Sequence, residues 1–91
     1  MNPNRETIGA LAMDLKRVAL GYNRGSTQMA ERFLEEALKR HKELQAQHNS
    51  PYLQKLLNSI AKLLAQKDKE KLAEDALMYS TLFQNYALKA Y

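Results

Sequence analysis

The stretch QKDKEK, residues 66–71, decides how many helices this chain has. It contains no glycine or proline, so a helix could run through it. A single bent helix of about forty residues would then occupy the C-terminal half, and the chain would have three helices. Against this, the apolar pattern that precedes the stretch lapses inside it and restarts at Leu72. Asp68 is also well placed to cap a new helix with its side-chain oxygen. The stretch therefore reads as a tight turn, and helix–helix connections of a few residues are ordinary in bundles.

Working outward, residues 51–66 carry Leu53, Leu56, Leu57, Ile60, Leu63 and Leu64, the three-and-four spacing of one helix face. Lys55 and Lys62 flank that face, and no acid follows until Asp68. HNSPY (48–52) opens the segment, with Ser50 as a cap and Pro51 in the first turn, where a missing N–H is harmless. Upstream, residues 26–48 place Ala30, Phe33, Leu34, Ala37, Leu38, His41 and Leu44 on one face. The other face spaces opposite charges four apart: Arg32 with Glu36, Glu35 with Lys39, Glu36 with Arg40, Lys39 with Glu43. Residues 3–21 carry Ile8, Leu11, Leu15 and Val18 as one stripe that Tyr22 continues, with Asp14, Lys16 and Arg17 off it. Asn2 suits the cap of this segment and Pro3 its first turn, while Gly21 suits its left-handed end.

Downstream, residues 69–89 repeat Leu72, Ala76, Tyr79, Phe83 and Tyr86 at alternating steps of four and three, and Ala90 continues the series. A second set, Leu77, Met78, Leu82 and Leu88, widens the apolar surface beyond one stripe. The expected fold is all-α: one domain over residues 1–91, an antiparallel up-and-down bundle of four helices near 3–21, 26–48, 51–66 and 69–89. Three glycines, two prolines and an abundance of Leu, Ala, Lys, Glu and Gln agree with this.

Composition also bounds function. The chain has no cysteine, which removes disulfides, thiolate metal sites and cysteine nucleophiles and fits a cytoplasmic protein. No apolar run approaches the roughly eighteen residues of a membrane span, and the N-terminus lacks the basic start and sustained apolar run of a signal peptide. The formal charge of +4 is spread evenly, with eight basic against six acidic residues in 1–49 and six against four in 50–91. A nucleic-acid binder gathers its basic residues into a patch. Lys16, Arg17, Arg24 and Lys39, Arg40, Lys42 sit among acids instead, which argues against nucleic acid and leaves it as an alternative partner.

Three local patterns invite a chemical reading. GYNRGST (21–27) has three residues between its glycines and no lysine after the second, whereas a phosphate-binding loop has four and a Gly-Lys-Ser/Thr end. It reads as a corner, with Arg24 and Ser26 as a weak anion site at a helix start. His41 and His48 lie seven apart on one face and could share a ligand or metal, but neither follows a glutamate at the Glu-x-x-His spacing of di-metal bundles. The expectation is a half-buried His41 bonded to a tyrosine or a backbone carbonyl, with no metal or cofactor. Adjacent Glu35-Glu36 and Glu74-Asp75 point about 100° apart on a helix and make no acid–base pair. The functional expectation is a non-enzymatic interaction module with a protein partner. A homodimer with Met78 and Leu82 near its centre is expected, because a short chain seldom builds a large core alone.

Overall fold

The computed structural model describes residues 5–89 and consists of four helices: α1 (Arg5–Asn23), α2 (Thr27–Gln45), α3 (Pro51–Leu64) and α4 (Lys69–Lys89). The turns between them span three to five residues, so successive helices run antiparallel around one core. The expected cap at Asn2, first turn at Pro3 and stripe position at Ala90 lie outside the described residues.

The 66–71 stretch breaks as a turn. The α3 ladder closes with Ala65 and Gln66 N–H donating to the Lys62 and Leu63 carbonyls. Asp68 Oδ1 then accepts from the Glu70 and Lys71 N–H groups (3.1 and 3.3 Å), two donors that a helix start leaves without partners. Ser50 caps α3 in the same way, its hydroxyl accepting from Leu53 N–H at 3.2 Å with Pro51 in the first turn.

The first turn differs from expectation. Gly21 does not end α1: the helix continues to Asn23, and Gly25 takes the left-handed conformation (φ 75°). Ser26 N–H donates to the Gly21 carbonyl (2.8 Å) and Gly25 N–H to Tyr22 (3.2 Å), which satisfies the last carbonyls of the helix. Because Ser26 closes α1 in this way, its backbone sits at φ −91°, ψ 77° and its side chain makes no capping bond to α2. Ser50, free of that duty, adopts φ −61°, ψ 155° and caps. Helix α2 also stops earlier than expected, at Gln45 rather than His48. The Asn49 amide donates to the Leu44 carbonyl at 2.7 Å and takes the place of the next helical N–H.

The core is built from Ile8, Leu11, Leu15 and Val18 of α1, Leu44 of α2, Leu57 and Ile60 of α3, and Leu72 and Phe83 of α4, all fully buried. Helix α1 packs most extensively against α4 and α2, whereas α3 rests more sparsely on α2 and α4. Side-chain size explains this. The buried faces of α1, α2 and α4 carry Ala12, Ala19, Gly21, Ala30, Ala37, Ala73, Ala76, Ser80 and Ala87, so their backbones approach closely. The buried face of α3 is leucine and isoleucine, which hold it further away.

This packing corrects four further expectations. Helix α4 is turned by about 40° relative to its expected stripe, since its buried line is Leu72, Ala73, Ala76, Ser80, Phe83 and Ala87, leaving Tyr79 and Tyr86 half-buried at the margin. Leu38 is exposed rather than part of the α2 face. Asp14, expected off the α1 stripe, is buried in the α1–α2 seam, where Arg40 Nε donates to Oδ2 at 3.2 Å. Arg40 thus pairs across the seam and not with Glu36, which instead meets Lys39 at 3.5 Å.

Burial pushes the Asp14 carboxyl above its ordinary 3.8, outweighing Arg40, while Glu36 pushes the same way and Arg17 opposes. A carboxyl that holds its proton more tightly when folded favours folding at acid pH. That advantage is complete below about 3.8, the unfolded value, and is lost as pH rises through the folded one. Asp14→Asn keeps the shape without the charge. It is expected to melt with the wild type near pH 3 and above it at pH 7. A melting temperature at pH 7 no higher than the wild type's would mean that the Arg40 contact outweighs burial.

Candidate functional site

With its core face committed, α4 still presents large apolar side chains to solvent. Leu77, Met78 and Leu88 are 46%, 51% and 55% exposed. Leu77 and Leu88 are eleven residues apart, so they lie within about 20° of each other, three turns along the helix. Thr81 lies between them, and Met78 marks the other edge of a strip about 100° wide. Glu74 and Lys89, both exposed, stand at opposite ends of this strip. Leu82, the fourth residue of the expected set, is placed differently: it is half-buried and packs against the core. Met13 of α1 is also exposed.

The two flanks of α4 differ because of α3. Tyr86 and Ser50 hydroxyls lie 2.8 Å apart, and the Tyr86 and Tyr52 rings stack at 5.8 Å between centroids. Tyr79 meets α3 lower down, where it lines an open cleft of about 320 Å³ with Lys55, Asn58, Ser59 and Lys62. The flank bearing Leu77 and Leu88 has no such cover.

The weak anion site does not come together as a set. Arg24 is exposed at the corner, and the Ser26 hydroxyl makes no bond to the α2 N-terminus. Beside that corner, a cleft of about 260 Å³ is lined by Tyr22, Asn23, Thr27, Lys69, Glu70 and Ala73. Lys69 Nζ stands 5.5 Å from the Tyr22 ring centroid, and the Tyr22 hydroxyl is buried without a hydrogen-bond partner. Sequence spacing had no means of pairing Tyr22 with Lys69, which are forty-seven residues apart.

The histidines separate. His41 is half-buried and its ring Nε2 donates to the Leu57 carbonyl at 2.9 Å. His48 lies beyond the end of α2, exposed. Amide side chains surround the α2–α3 seam: Gln54 Nε2 donates to Gln45 Oε1 (2.7 Å) and to Asn58 Oδ1 (2.9 Å). These bonds tie the looser α3 to α2 with neutral groups. Among the described residues, no three or more His, Asp or Glu side chains are grouped to hold a metal ion. None of the four helices is long and apolar enough to cross a membrane.

No protein-family model, curated protein or solved structure matches the chain.

Proposed function

We propose that the chain is a non-enzymatic helical interaction module, a homodimer joined through the outer face of α4 that offers its remaining helical surface to a protein partner. The observation carrying this reading is the strip of Leu77, Met78 and Leu88 on a helix whose opposite face is already buried in the core. Exposed Thr81, Gln84 and Asn85 separate Leu77 and Met78 from Leu88, and a second subunit laid along the strip removes all three large apolar side chains from water. The cysteine-free composition suits a cytoplasmic setting. Light scattering at micromolar concentration tests the reading, with a dimer expected for the wild type. Met78→Glu with Leu88→Glu is expected to give a monomer of unchanged helicity, since both positions are exposed. A monomeric wild type refutes self-association.

The cleft formed by Lys55, Asn58, Ser59, Lys62 and Tyr79 favours a second reading, a nucleic-acid-associated accessory protein. Every residue lining it carries a hydrogen-bond donor, and none is acidic. Retention on duplex DNA or RNA that collapses between low and moderate salt supports it. Retention unchanged by Lys55→Glu with Lys62→Glu removes it.

A further inference from the structure

The charges on the α4 strip determine how a second copy would lie on it. We propose that the two α4 helices pair antiparallel, with Leu77 of each copy level with Leu88 of the other and Glu74 of each facing Lys89 of the other. This arrangement rests on the dimer proposed above and specifies its geometry. The exposed strip carries an acid, Glu74, near the N-terminal end and a base, Lys89, at the C-terminal end, with Leu77, Met78, Thr81, Gln84, Asn85 and Leu88 between. Neither charge has a salt-bridge partner among the described residues.

When Leu77 is level with Leu88 of the second copy, residues whose numbers sum to 165 face each other. Lys89 then lies level with position 76 of that copy. Glu74 is two residues further on, about 3 Å along the axis, within the reach of a lysine side chain. The two-fold axis repeats the contact, so two unlike pairs bracket two Leu77–Leu88 contacts, with the exposed Thr81, Gln84 and Asn85 between them at the axis. A parallel pairing would set Glu74 against Glu74 and Lys89 against Lys89, with like charges at both ends. Rim charges of this kind select orientation more than they add affinity. Helix polarity favours the same choice, because antiparallel neighbours oppose their dipoles.

The experiment uses the full chain at low ionic strength, with the dimer dissociation constant read by sedimentation equilibrium. Glu74→Lys and Lys89→Glu are each expected to weaken the dimer about three- to tenfold, since each turns two attractive contacts into repulsive ones. Mixing the two variants in equal amounts is expected to restore association to about the wild-type level, because unlike charges then meet at both ends. The absence of cysteines allows a second measurement. Leu77→Cys mixed with Leu88→Cys is expected to cross-link through a short bismaleimide, while Leu77→Cys alone is not, its two sulfurs lying about 16 Å apart along the axis. A wild-type dimer indifferent to both charge reversals, or cross-linked by Leu77→Cys alone, overturns the antiparallel arrangement and leaves self-association standing. A wild-type monomer overturns both.

Discussion

Phe83→Ala is expected to lower folding stability by about 3–5 kcal/mol, while Leu88→Ala on the same helix changes monomer stability by less than about 0.5 kcal/mol. Phe83 is fully buried and is the largest such side chain among the described residues, whereas Leu88 is 55% exposed. Truncating the ring removes its transfer free energy and leaves a cavity that the surrounding core refills only in part. Domains of this size have about 5–15 kcal/mol in total, so the variant stands near the edge of folding at room temperature. Urea denaturation of both variants checks the rotation of α4. Comparable losses at the two positions would mean that α4 is turned otherwise. Leu88→Ala has a second consequence: it is expected to weaken the dimer while sparing the monomer, which separates interface from core.

Gly21→Ala is expected to destabilise the fold by about 1–3 kcal/mol, against the helix propensity that favours alanine. A Cβ at Gly21 would lie 2.8 Å from Ala30 N and 2.9 Å from Ala30 Cα, both backbone atoms that no side-chain rotation can move. Relieving the clash requires the α1 and α2 backbones to separate at this point. Gly9→Ala supplies the control. Gly9 is also helical, but a Cβ there meets nothing within 4 Å, so this substitution is expected to raise stability by about 0.5–1 kcal/mol. Thermal melts of the two variants should shift in opposite directions. A rise in both would show that α1 and α2 do not meet through Gly21.

The exposed strip was legible in the sequence as an excess. Leu77, Met78 and Leu88 stood out because they exceed what one core-facing stripe can hold. Leu82 belonged to the same excess, yet it packs against the core. Periodicity identifies which residues share a face and is silent on which flank a neighbouring helix covers. Here α3 covers the flank of Tyr79 and Tyr86, held there by the Tyr86–Ser50 contact between positions thirty-six residues apart. The Tyr22–Lys69 contact has the same character, joining a helix end to a helix start through space alone.

The number of helices, their order and most of their boundaries were determined by the sequence itself, because helix starts and stops are satisfied by neighbours in the chain. Ser50 with Pro51 and Asp68 with the two N–H groups beyond it act over two or three residues. The tertiary structure decided what depends on the distance between backbones. Of two glycines four residues apart, the sequence pointed to Gly21 as the left-handed end of α1. Gly21 became a packing residue because Ala30 comes against it, leaving Gly25 to take the left-handed turn. Asp14 had the polarity of a surface residue and was enclosed because α2 brought Arg40 over it. Helix α4 turned toward its small residues because Ala73, Ala76, Ser80 and Ala87 allow α1 to approach closely, which the bulkier tyrosines do not. That rotation is a property of two surfaces meeting, and it is what left Leu77, Met78 and Leu88 facing outward.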